Sequence, residues 1–157
     1  MAAIARLWFV RAESADAAGV LPRAVELAGA VAGPGSEAAV RALGAARGVA
    51  VHLDPQLEDP ERALVALGGW ARRFAGRQCA VVGAAWLVER AVGEALGVGE
   101  GAAFALRDGG CAAIDWPLEE GAPAALVGFD LDWCPTFLPE GRPKFPGGPG
   151  VAPSGRA

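Results

Sequence analysis

Histidine is almost missing from this sequence: His52 is the only one in 157 residues. Tyrosine and asparagine are absent, and Lys144 is the single lysine. Cysteine is scarce too, with Cys79, Cys111 and Cys134 odd in number, far apart and never in CxxC spacing, which excludes a disulfide framework. A zinc site would have to be assembled from those scattered thiols and one imidazole, so no metal and no cofactor is expected. Cys79 and Cys111 stand inside apolar runs and read as buried thiols.

An excess of positive charge is also lacking. Lys and Arg total 14 against 18 Asp and Glu, a net charge of −4 and a pI near 5.0. Nucleic-acid binding needs a basic face to release counterions, so that class of partner is excluded. Charges interrupt every apolar stretch well before the ~18 residues a membrane span requires, and no membrane contact is expected. Met1 to Arg6 leads directly into a strand-like run without the apolar core and cleavage site of a signal peptide, so a cytoplasmic location is expected.

What is present is globular: 53% hydrophobic and 20% charged residues, with 36 alanines supplying much of the apolar fraction. The five tryptophans, with Leu, Val, Ile and Phe, must anchor the core. One domain is expected over residues 1–138, followed by a Pro/Gly-rich tail, 139–157, that is not expected to fold by itself.

Strand and helix signals alternate along the chain. Ile4 to Val10 is a β-rich run, and Val20 to Ala32 carries Leu21, Val25, Leu27 and Val31 at spacing that predicts a helix. Gly33-Pro34-Gly35 breaks the pattern, Ser36 is a suitable N-cap for a helix over Glu37–Arg47, and Gly48 ends it. Residues 49–53, VAVHL, predict a short strand. Asp59-Pro60-Glu61 predicts a helix start, with Asp59 as the cap. Cys79 to Val82 is a continuous apolar run, the pattern of a central parallel strand, and the helix after it should close at Gly97. Asp108-Gly109-Gly110 joins two β runs as a hairpin, and the stretch APAALVGFDLDW adds another strand. The fold expected is three-layer α/β/α, with a mainly parallel central sheet and an antiparallel edge strand.

Ligands of open α/β sheets bind beyond the carboxyl ends of the strands. Two such ends stand out: Arg11-Ala12-Glu13 after Val10, and Gly83-Ala84-Ala85 after Val82. Small or polar turns between a strand and a helix suit an anion. Ser14 is placed to donate a hydrogen bond to one, or merely to cap the next turn.

The segments LWFVRAES and AVVGAAW, with SEAAVRALGAA between them and WLVERAVGEALG and FALRDGGCAAIDW after, occur in an order that resembles the histidine phosphatase (phosphoglycerate mutase-like) superfamily. The likeness is strongest to its short SixA-type phosphohistidine phosphatases and spans roughly residues 4–116. It implies Arg11 and Arg41 as phosphate-binding residues, and it places Ala12 and Ala84 where that family carries its two catalytic histidines. Asp59 falls near the place of the family's acid, although a cap explains it fully. Glu13, Ser14, Gly83 and Trp86 would surround the pocket, with the Trp86 ring available to fill space left at Ala84.

A methyl group has no lone pair, so covalent catalysis by the family's route is excluded for this chain. His52 lies mid-strand, away from that pocket, and reads as structural. Asp115, Asp130 and Asp132 lack specific ligand spacing and are expected to face solvent. The resemblance therefore implies a catalytically inactive pseudophosphatase that retains phosphate or a phosphorylated ligand through Arg11. One alternative is a phosphoric-monoester or phosphohistidine hydrolase of altered mechanism, with Glu13 or an external nucleophile attacking. Another is a structural or partner-binding domain with a vestigial pocket. No protein partner is identified by the sequence.

Overall fold

The computed structural model describes residues 3–12, 21–98 and 110–131. Strand β1 (Ile4–Arg11) lies inside the sheet and is covered on both sides. Leu7 and Phe9 enter one core layer while Trp8 and Val10 enter the other. Burial of both faces is why this strand reads as continuous rather than alternating apolarity.

The remaining strands are β2 (Gly29–Ala32), β3 (Val51–Leu53), β4 (Gln78–Gly83), β5 (Cys111–Pro117) and β6 (Ala125–Leu131). They form one sheet in the order β3-β2-β4-β1-β5-β6. The first four in that order are mutually parallel; β5 runs antiparallel to β1, and β6 antiparallel to β5. Helix α1 (Glu37–Arg47) packs Ala39, Val40 and Leu43 on the Trp8/Val10 face. Helices α2 (Ala63–Arg73) and α3 (Ala85–Leu96) cover the Leu7/Phe9 face through Leu67, Leu87 and Val88 among others. This is the expected α/β/α sandwich, with its antiparallel strands gathered at one edge.

The helix expected over Val20–Ala32 is corrected. Residues 29–32 are β2, hydrogen-bonded between β3 and β4, and all four are buried. Before them, the carbonyls of Leu21, Pro22 and Val25 accept bonds from the guanidinium of Arg47 at 2.6, 2.9 and 3.0 Å. A side chain from the last turn of α1 thus satisfies backbone groups that a helix would have used itself. Apolar spacing alone misread a segment whose hydrogen bonds are supplied from elsewhere in the fold.

The start expected at Asp59 is early by one turn. The Asp59 carboxylate does accept from the Glu61 amide at 2.9 Å, but it caps a turn that leads into α2 at Ala63. Helices α1 and α3 end as expected on Gly48 and Gly97, both left-handed, with φ of 65° and 68°. The first arm of the expected hairpin, 102–107, and the tail 139–157 lie outside the described residues. Among the described residues no helix is long and apolar enough to cross a membrane.

Candidate ligand-binding site

Three parallel strands end side by side at one edge of the sandwich. Arg11 at the end of β1 pairs with Gly83 at the end of β4, and Ala32 of β2 pairs with Val82. The Ala12 amide donates to the Gly83 carbonyl at 3.1 Å, which holds the two turns together. Beyond these ends a cavity of about 310 Å³ opens. Ala12, Gly83, Ala84 and Trp86, named from separate parts of the sequence, all line it.

The opposite wall was not legible beforehand. Gly33, Gly35 and Ser36 contribute the turn after β2, and Leu57 and Glu58 come from the 3-10 turn Pro55–Glu58 after β3. The Gly35 amide donates to Glu58 Oε2 at 2.5 Å. Both glycines make room for this side chain. A Cβ on Gly33 would stand 2.3 Å from Glu58 Cγ, and one on Gly35 would stand 2.4 Å from Oε2. The Gly-Pro-Gly stretch, which reads as a helix breaker, is a backbone cradle for a carboxylate. Two glycines at a strand end within an α/β pattern were the available signal.

Asp59, which falls near the family's acid by resemblance but reads as a cap, does act as one: its carboxylate accepts from the Glu61 amide and lies 3.6 Å from the Arg62 guanidinium. Its neighbour Glu58 is the residue that reaches the cavity.

Arg11 is half-buried, and its Nε is enclosed in protein. Strand alternation puts it on the Leu7/Phe9 side, opposite Ala12, and it is not among the described residues that line the cavity. Arg41 is not brought to the site either. Its Nε donates to Glu37 Oε1 at 2.8 Å on the outer surface of α1, with 59% of the side chain exposed. The preceding residue, Val40, is the one turned into the core, because each helical residue rotates the side chain by about 100°. Glu13 and Ser14 lie outside the described residues.

Trp86 lines the cavity beside Ala84 without filling it and also packs against the α2/α3 core layer. His52 sits on β3 with its ring 5.1 Å from Trp70 and 6.2 Å from Phe74, away from the cavity. Asp115 is paired with Arg6 at 2.7 Å, and among the described residues no group of three His, Cys, Asp or Glu side chains is placed to hold a metal. Burial pushes the Cys79 thiol up to about 12, which removes it as a nucleophile near neutral pH. Cys134 and Asp132 lie outside the described residues.

No family model and no curated protein matches the sequence. Solved structures do match. YhfR of Bacillus stearothermophilus superposes with a TM-score of 0.62 over 78% of this chain and 95% of its own, at 13% identity. The phosphoglycerate mutase of Plasmodium falciparum gives a TM-score of 0.59 over 84% of this chain and 94% of its own, at 10% identity. The alternation of elements, the mixed six-stranded sheet and these likenesses together establish that the chain has the phosphoglycerate mutase-like, histidine phosphatase-like fold.

Proposed function

We propose that this chain is a noncatalytic, SixA-like member of the histidine phosphatase group, a binding protein that keeps the pocket of the fold without its phosphoryl-transfer chemistry. The observation that carries this reading is the pairing of Ala12 and Ala84 on one cavity at the carboxyl ends of β1 and β4. The two alanines come from distant parts of the sequence, and each falls where the resemblance calls for a histidine. Neither can attack phosphorus or hold a phosphoryl group. Among the described residues the polar side chains that line the cavity are the Ser36 hydroxyl and the Glu58 carboxylate, and the carboxylate is taken up by the Gly35 amide.

Retention of phosphate through Arg11 is a second reading, favoured by the position of that residue at the end of β1 next to Ala12. It loses the second arginine, since Arg41 is committed to Glu37 on the surface. Both readings are tested with p-nitrophenyl phosphate, a phosphohistidine peptide and inorganic phosphate on the chain and on Arg11→Ala. Background hydrolysis is expected throughout; turnover that saturates with substrate overturns the noncatalytic reading. Calorimetric phosphate binding that disappears in Arg11→Ala upholds the second reading, and its absence removes it.

A further inference from the structure

We infer that the cavity binds an organic monocation, a guanidinium or a primary alkylammonium, through Glu58 and Trp86; this rests on the noncatalytic reading of the same site. Among the described residues that line it, Glu58 is the only one with a charged side chain. Arg11 is not among the described residues that line the cavity, and Arg41 is ion-paired to Glu37 on the surface of α1.

The placement of Glu58 is built rather than incidental. Gly33 and Gly35 both lack the Cβ that would collide with it, and the Gly35 amide holds Oε2. An amide donor at the end of a strand is what an entering anion would use, and here the protein's own carboxylate already occupies it. A phosphate would therefore meet a like charge and lose a donor. A cation meets the reverse, since Oε1 has no hydrogen-bond partner among the described residues.

Trp86 supplies the second element of recognition. Its indole lines the same cavity, and the negative face of an indole ring is the best aromatic surface for an organic cation. Ala12, Ala84 and Gly83 make the remaining floor small and apolar, which suits the alkyl stem of such a ligand. At about 310 Å³ the cavity is at the small end of ligand sites and fits one side-chain-sized group. A hard metal ion would require several oxygen ligands, and the described residues that line the cavity offer one carboxylate.

The ligand chemistry has two sources, a free small amine or the arginine or lysine side chain of a peptide. Calorimetric titrations at low salt with ethylguanidinium, n-butylammonium and an end-blocked arginine tripeptide, on the chain and on Glu58→Gln and Trp86→Leu, separate them. Saturable binding of at least one small cation is expected, weakened about tenfold or more in Glu58→Gln, the size of one charge-assisted hydrogen bond. Tighter binding of the tripeptide assigns the site to a peptide side chain, and equal binding assigns it to a free amine. No cation binding, or equal binding by Glu58→Gln, overturns the inference. Glu58→Gln is an exposed, nearly isosteric change, and its melting curve should match that of the parent. Arg11-dependent phosphate binding without cation binding would sink this inference while leaving the noncatalytic reading intact; phosphatase turnover would sink that reading instead.

Discussion

The two ends of β1 treat charge in opposite ways. At the amino end, Arg6 Nε and Nη2 donate to the two oxygens of Asp115 on the neighbouring β5, at 2.7 and 3.0 Å. Both groups are satisfied there, and the hydrogen bond to Asp115 raises the Arg6 pKa further. At the carboxyl end the strands give way to alanine and glycine, and the one carboxylate among the described lining residues, Glu58, is held by a backbone amide instead of a cation. A closed ion pair fastens two strands. A carboxylate without a cation, beside a cavity, is available to something that enters.

That contrast is broken most severely by hollowing the stretch between the two ends. Phe9 is fully buried, with its ring 6.3 Å from that of Trp116. Phe9→Ala should cost about 3–5 kcal/mol in thermal or denaturant unfolding, because the cavity left behind adds to the lost burial. A loss below about 1 kcal/mol would mean that the two core layers are not packed as described.

The next effect depends on pH. Cys79 is buried on β4, and its thiol is raised from 9.0 to about 12 in the folded chain. The unfolded thiol ionises first, so this contribution is intact below pH 9 and is lost as pH rises from 9 toward 12. Its slope approaches about 1.4 kcal/mol per pH unit above 9. Cys79→Ala should remove that part of the alkaline slope in urea titrations, and a slope unchanged by the substitution would contradict the burial of the thiol.

The two ends themselves differ by smaller amounts. Asp115→Ala should cost about 1 kcal/mol, since the pair is bidentate but Arg6 remains 38% exposed. Glu58→Gln should change stability by less than about 0.5 kcal/mol, because the side chain is exposed and the amide oxygen keeps the bond from Gly35. Equal losses at the two ends would erase the distinction between a structural and a binding carboxylate.

Much of the architecture was legible because burial leaves a direct trace. Leu7 to Val10 and Cys79 to Val82 read as central strands through unbroken apolarity, and Gly48 and Gly97 marked two helix ends through the left-handed backbone they adopt. Residues 21–32 were misread because the sequence does not reveal that Arg47, 22 to 26 positions away, satisfies the carbonyls of Leu21, Pro22 and Val25, or that residues 29–32 pair with β3 and β4. The site divides along the same line. Ala12, Gly83, Ala84 and Trp86 were found from strand ends, which are local signals. Glu58 was not singled out, because its entry into the cavity depends on the room that Gly33 and Gly35 provide from another part of the chain. Arg41 failed for a similar reason: a single position on a helix separates the core-facing Val40 from a surface ion pair.

The noncatalytic reading proposed above holds that, with alanine at positions 12 and 84, the chain takes up no phosphoryl group. The most direct measurement is intact-mass analysis of the chain after incubation with phosphoramidate and with a phosphohistidine peptide, quenched at successive times under conditions that preserve phosphoramidate and acyl-phosphate bonds. The account predicts an unshifted mass at every time. A phosphoryl-sized increase that forms and decays, and that is absent in Arg11→Ala, would show that another nucleophile has taken over the chemistry and would contradict it.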